Sequence, residues 1–296
     1  MTIETMEERQ RRAHTLIEAL PYIRRFSGHT MVIKLGGAAA ATSDVDAVLQ
    51  DIVLLRFVGM RPVLVHGGGP EISSWQERMG MTPRFVDGLR VTDEDTLATV
   101  VAVLAGRINT AFVAALGAAG VKAVGLTGAD ASLGLSPLAP ALKTTSGTIA
   151  DLGLVGVPRG DAPARLVTDL MGLGYVPVIA SIGVDAAGAL LNVNADTLAA
   201  HLARAAGAAR LIVAGKTAGV FDAAGRTCPA LDADAARAMV AAGTARDGMV
   251  AKLVACLDAL AAGVAEVRIV DGRAGEFAHA PGTTLTNSLA RHYTTC

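Results

Sequence analysis

The sequence predicts an α/β fold: a mostly parallel central sheet with helices on both faces, preceded by an N-terminal helix. Three observations predict it. Short apolar runs rich in β-branched residues alternate with longer helical segments, which is the βαβ pattern of a parallel sheet. The runs are apolar almost throughout, as strands buried on both faces require. Several of them stop at glycines, where a strand hands over to a helix.

The elements follow in order. Residues 4–25 form an amphipathic helix, with Met6, Ala13, Leu16, Ile17 and Leu20 near helical spacing; Pro21 bends or ends it. TMVIKLGG is a strand stopping at Gly36-Gly37, and a helix runs on to about Val58. RPVLVHGGG is the second strand, followed by helix 70–80. Segment 81–95 has turn chemistry and reads as a short hairpin, and 95–119 is helical. KAVGLTGAD is the third strand. Segment 131–160 is rich in Gly, Pro, Ser and Thr and forms surface hairpins. Helix 161–173 leads to YVPVIASIG, read as one buried strand. Helix 195–206, strand RLIVAG, helices near 232–242 and 247–262, strand EVRIVDG and a C-terminal hairpin complete the chain. The expected division is an N-terminal oligomerisation helix at 1–26 and two tightly joined lobes, 27–190 and 191–296.

Composition narrows the function. Hydrophobic residues make up 52% and charged residues 18%, which excludes a disordered chain. A net charge of −1 gives no field for nucleic acid or an anionic membrane. Cys228, Cys256 and Cys296 lie far apart, so neither a disulfide framework nor a zinc site is expected. With no signal-like segment and no uninterrupted run of about 18 apolar residues, a soluble cytoplasmic protein is expected.

Five motifs carry candidate chemistry. Lys34-Leu35-Gly36-Gly37 ends a strand, where glycine amides and a lysine charge suit a phosphate; a plain strand-to-helix turn would look the same. His66-Gly67-Gly68-Gly69-Pro70 is a wide anion-binding loop with proline at the first helical position, and His66 reads as a packing residue. Neither loop matches a P-loop or a dinucleotide fingerprint. Asn192, Asn194 and Asp196 alternate at a helix start and would face one way on extended backbone; capping accounts for only one of them. Lys252 follows Asp247-Gly248-Met249 at a helix start, and its plain alternative is a solvated lysine. Arg90, in a turn-rich segment, could clamp a carboxylate through two bonds or lie on the surface.

Together these motifs resemble the N-acetyl-L-glutamate kinase branch of the amino acid kinase family. HGGGP, FVDGLRVT, LNVNADT and GM-x-x-K occur in that family's order between residues 16 and 273. The resemblance implies an open αβα sandwich and transfer of the ATP γ-phosphoryl group to the side-chain carboxylate of N-acetyl-L-glutamate. It implies that Lys34 and Lys252 neutralise charge while Asp196 holds both. Gly36, Gly37, Gly67, Gly68 and Gly69 would bind the phosphoryl group, and Arg90, Asn192 and Asn194 the acylated amino acid. Lys216, Gly219, Gly248 and Met249 would line the nucleotide site, with Mg²⁺ on the nucleotide phosphates and no dedicated metal ligands. The N-terminal helix resembles that of hexameric members and implies a homodimeric core extended towards a hexamer.

The chain departs from the family pattern in three places. Gly215-Lys216 stands where an acidic residue usually faces the nucleotide, Ala129 stands where many members have lysine, and only Gly282-Thr283-Thr284-Leu285 is similar to the usual tail. A kinase of another acylated amino acid, or a non-catalytic protein on the same fold, are the alternative readings.

Overall fold

A computed structural model describes residues 5–36, 45–144, 147–159, 164–245, 248–272 and 280–288. Gly37 and Asp247, and most of the tail after Gly272, lie outside the described residues.

Strand β1 (Thr30–Leu35) is buried at every position, and its neighbours divide by parity. Val32 joins an apolar cluster on one face of the sheet, while Met31, Ile33 and Leu35 join a second cluster on the other. Strand side chains alternate between faces, so two buried faces produce an unbroken apolar run. Strand β2 (Arg61–His66) repeats the division, with Val63 and Val65 on the first face and Leu64 on the second.

Helix α1 (Met6–Phe26) comes first and runs through Pro21, which neither ends it nor marks its last turn. Proline removes one helical N–H and presses on the preceding turn. Arg24 and Arg25 close the helix, where cations suit the carbonyl end. Met6 and Ile17 are exposed along it, and Phe26 anchors its end in the core. After β1 come α2 (Val45–Phe57), β2 and α3 (Gly69–Arg78). The expected hairpin is β3 (Phe85–Val86) with β4 (Leu89–Arg90), which are antiparallel.

The single helix expected over 95–119 has three parts: α4 (Glu94–Val101), a π-helical segment (Ala102–Asn109) and α5 (Thr110–Ala118). Together they are long and apolar enough to cross a membrane by length and composition, but Val100, Leu104, Ile108, Phe112 and Leu116 are buried in the second core cluster. Strand β5 (Ala123–Thr127) follows, then the small antiparallel pair β6 (Leu142–Lys143) and β7 (Ile149–Ala150), then β8 (Val155–Gly156).

Helix α6 (Arg165–Gly172) leads to the run read as one strand, which is two. β9 (Val176–Ala180) stays in the main sheet, whereas β10 (Ile182–Val184) leaves it at Ser181 to pair with β11 (Leu190–Val193). Then come α7 (Ala195–Ala205), β12 (Arg210–Gly215), β13 (Ala230–Asp232), α8 (Ala233–Ala241), α9 (Gly248–Ala261), β14 (Glu266–Asp271) and β15 (Gly282–Thr286).

The main sheet has the order β13-β15-β14-β12-β1-β2-β9-β5 and is parallel except where β14 meets β15. The chain leaves β1 towards β2 on one side and later adds β12 on the other, so β1 sits at a switch in strand order. Ligands of open α/β sheets bind at the carboxyl ends beside such a switch. Register puts Leu35 opposite both His66 and Ala214, so the turns after β1, β2 and β12 open at one level.

Candidate active site

Lys34 shares the parity of Val32 and therefore points to the face covered by α7 and α9. There its Nζ lies 2.9 Å from Asp196 Oδ1, in the first turn of α7. Lys252 Nζ, from the first turns of α9, lies 3.4 Å from the same oxygen. All three side chains are nearly buried, at 9%, 11% and 12% exposure for Lys34, Asp196 and Lys252. Burial pushes the Asp196 carboxyl up, but the two ammonium groups more than offset it, and its pKa lies below the usual carboxylate value. Lys252 is lowered by burial and then by repulsion from Lys34, against the pull of Asp196.

Two cavities meet at this cluster. The narrower, ≈ 210 Å³, is lined by Lys34, the Gly67–Gly69 loop, Arg90, Asn192 and Asn194. The wider, ≈ 600 Å³, is lined by Lys216, Phe221, Gly248, Met249 and Lys252. Asn194, Asp196 and the Gly88-Leu89 hairpin tip belong to both. The three alternating residues Asn192, Asn194 and Asp196 thus do reach one cavity. Asn194 also caps α7, its Oδ1 accepting from the amides of Asp196 at 2.8 Å and Thr197 at 3.2 Å.

Arg90 is neither solvated nor free-swinging. Its Nη2 donates to Gly69 O and to Ser73 Oγ, both at 2.8 Å; its Nη1 donates to Gln76 Oε1, and its guanidinium stacks 4.6 Å over Phe85. Burial lowers its pKa, though an arginine starts high enough to remain charged. Asn192 Nδ2 donates to Thr92 Oγ1 at 2.9 Å, which ties β11 to the segment carrying Arg90.

The glycines divide into donors and spacers. The Gly36 amide does not face the cavity: it donates to Ala214 O at 2.9 Å, because the sheet continues one residue past β1. The Gly67 amide makes a long 3.4 Å bond to Leu35 O. Among the described residues, the amides of Gly68 and Gly69 meet no acceptor, and they open α3 beside Lys34, where a helix start favours an anion. Gly219 stands off the cavity wall. Its φ of +123° and a Cβ position 2.9 Å from Thr283 N show that it serves a turn packed on β15.

Sequence reasoning missed Ser73, Gln76 and Phe85, which hold Arg90, and Ser181, which lines the narrow cavity at the β9–β10 break. Ser73 and Gln76 could have been found, since helical spacing sets them on the face of α3 nearest Gly69. Ser181 carried no comparable signal.

Residues 29–271 match the sequence profile of the amino acid kinase family. Over 266 residues the chain is 46% identical to an acetylglutamate kinase of Symbiobacterium thermophilum, covering 88% of this chain and 90% of that one. It is 43% identical to an acetylglutamate kinase of Synechocystis sp. over 271 residues, 90% of this chain and 88% of the relative. Among solved structures, N-acetylglutamate synthase from Neisseria gonorrhoeae superposes with a TM-score of 0.79 at 26% identity; the match covers 93% of this chain but only 63% of the synthase. Carbamate kinase from Giardia lamblia shares the fold, with a TM-score of 0.60 at 14% identity over 87% of this chain and 98% of the other.

Proposed function

Since the chain belongs to the amino acid kinase family, we propose that it transfers the γ-phosphoryl group of ATP to the side-chain carboxylate of N-acetyl-L-glutamate. The products are N-acetyl-L-glutamyl 5-phosphate and ADP, an early step of arginine biosynthesis in the cytoplasm. One observation carries the reading: a narrow and a wide cavity join at an ion-paired Lys34–Asp196–Lys252 cluster, which suits an acyl acceptor on one side and a nucleotide on the other.

A carboxylate oxygen of the acceptor attacks the γ-phosphorus, and the bond from that phosphorus to the bridging oxygen breaks as ADP leaves. The acceptor is already ionised at neutral pH, so no general base is needed. The protein supplies position and positive charge, which is most of what phosphoryl transfer asks of it. Lys34 faces the transferring group, Lys252 the leaving phosphate, and Asp196 fixes both ammonium groups. The Gly68 and Gly69 amides receive phosphoryl oxygens. Arg90, Asn192 and Asn194 orient the acyl amino acid, while Lys216, Gly248 and Met249 flank the nucleotide.

Mg²⁺ bound with the nucleotide would supply charge neutralisation, and the chain would need to offer it few ligands of its own. This fits the donor set: of the described residues lining the wide cavity, only Asp87 and Asp196 carry carboxylates, and Asp196 is engaged by two lysines.

The working division is an acyl-binding lobe over 27–190 and a nucleotide lobe over 191–296. Helix α1, with Met6, Ile17 and Leu20 exposed, joins copies into an oligomer larger than a dimer. Light scattering on a chain lacking residues 1–26 tests this; an unchanged mass removes the role.

The deciding experiment mixes the chain with ATP, Mg²⁺ and N-acetyl-L-glutamate and traps acyl phosphate with hydroxylamine, alongside glutamate, N-acetylaspartate and acylated 2-aminoadipate. Preference for N-acetyl-L-glutamate is expected. A preference for another acceptor redirects the substrate assignment, and no turnover by folded protein overturns the kinase reading.

A further inference from the structure

His66 ends β2 with no exposed surface, and phosphoryl transfer as described above does not use it. It shares the parity of Leu64, which turns it away from Lys34 towards the π-helical segment and α5. Its ring meets Phe112 edge-on, with centroids 5.2 Å apart. Its Nε2 lies 3.1 Å from Asn109 Nδ2. That same nitrogen is 2.9 Å from Val178 O and 3.2 Å from Leu126 O. Two carbonyls around one end of the amide fix that end as the NH₂ group; a protonated His66 Nε2 would set donor against donor there, so the imidazole proton sits on Nδ1. Nδ1 then donates to Gly67 O at 3.3 Å. Burial, only partly opposed by the Gly67 bond, lowers the imidazole pKa to about 4, so the neutral tautomer persists at physiological pH.

Asn109 reaches this position through the π-helical segment Ala102–Asn109, which buries Leu104, Ile108 and Asn109 against the sheet. π-helical turns often occur at functional sites. Two glycines admit the segment. A Cβ on Gly125 would overlap Asn109 Oδ1, and a Cβ on Gly68 would overlap Ile108 Cδ1 and lie 2.7 Å from Leu104 Cδ2. The segment is therefore keyed to β5 and to the glycine loop at once.

We propose that His66 and Asn109 are positioning residues of the phosphoryl-binding loop: Asn109 fixes the imidazole tautomer, Nδ1–H donates to Gly67 O, and the polarised Gly67–Gly68 peptide presents Gly68 N–H as a stronger donor. The chemical step rests on the kinase reading of the site. Hydrogen bonds in a chain strengthen one another by about 10–30% each. Losing a direct donor to a developing anion slows catalysis about 10²–10³-fold, and an indirect contribution is expected near tenfold.

The test uses the full chain with His66→Phe, His66→Asn, Asn109→Leu and the double variant His66→Phe/Asn109→Leu. His66→Phe keeps the aromatic packing and loses the donor; kcat should fall about tenfold with both KM values nearly unchanged. His66→Asn places an amide N–H where Nδ1–H stood and should recover most of the loss. The double variant should lose no more than either single one. An unchanged kcat in folded His66→Phe, or additive losses, overturns the proposal. Wild-type turnover separately controls the kinase reading. Nitrogen-15 NMR decides independently of turnover: protonated Nδ1 in the wild type and an upfield shift of the Gly68 amide proton in His66→Phe are expected. Protonated Nε2, or an unmoved Gly68 amide, refutes the relay even in an inactive chain.

Discussion

Replacing Asp196 with asparagine keeps the side-chain volume and removes the carboxylate that two buried ammonium groups share, at 2.9 and 3.4 Å. A unit charge pair 4 Å apart is worth about 4 kcal/mol at an effective dielectric constant of 20, but desolvation of all three groups offsets much of that. What the experiment reads is the cost of breaking a buried pair from one side, about 3–5 kcal/mol. In a chain of this size that lowers Tm by roughly 5–8 °C.

The pH dependence gives the sign. Lys252 is already lowered by burial and by Lys34, and Asp196→Asn removes the interaction that raised it. Between its folded and unfolded pKa the unfolded chain binds more protons, so the variant should regain stability as pH rises towards 10. The wild-type Asp196 acts at the other end: its folded pKa is depressed, so its contribution is present above the unfolded carboxyl pKa and is lost as acid protonates the folded carboxyl. Urea midpoints of Asp196→Asn and of Asp196→Asn/Lys252→Met, taken from pH 6 to 10, test this. The second substitution should restore much of the lost stability while turnover stays abolished. A deficit that is flat with pH, or a further loss from Lys252→Met, would refute the charge argument.

Arg90→Ala should raise KM for the acyl amino acid at least tenfold, about 1.4 kcal/mol, and leave KM for ATP near wild type; an effect confined to ATP would reverse the lobe assignment. It should also cost about 1–3 kcal/mol of stability, because Gln76 and Ser73 lose their partner. Lys216→Ala should weaken ATP about tenfold without changing KM for the acyl amino acid, since a charged hydrogen bond contributes about 1.5–3 kcal/mol. An unaltered ATP KM would mean that Lys216 lines the wide cavity without touching the nucleotide.

Most of the fold was legible because β1, β2 and β12 are apolar on both faces and end at glycines. The split of 176–184 was not, since Val178, Ile179, Ile182 and their neighbours read as one continuous run and the exit at Ser181 depends on pairing with β11, far along the chain. The π-helical segment was invisible for a similar reason: AVLAGRIN has ordinary helical composition, and its close approach to Gly68 and Gly125 is made across the fold. At the site, Lys34, Asp196 and Lys252 were legible as motif residues, but their meeting at one oxygen is a tertiary fact. The glycine motifs mark candidate anion loops but not which amides are available: Gly36 donates its N–H to Ala214 O, while those of Gly68 and Gly69 meet no acceptor among the described residues. Gly219 shows the limit of sequence here, because a turn glycine and a ligand-facing glycine look alike in it.

If phosphoryl transfer takes place at the Lys34–Asp196–Lys252 junction, steady-state kinetics of Lys34→Met will reveal it. The substitution keeps an unbranched chain of similar length in β1 and removes the charge. In a folded chain kcat should fall by about 10² or more, with both KM values changed far less. A kcat close to wild type would contradict it and move the reaction away from this junction.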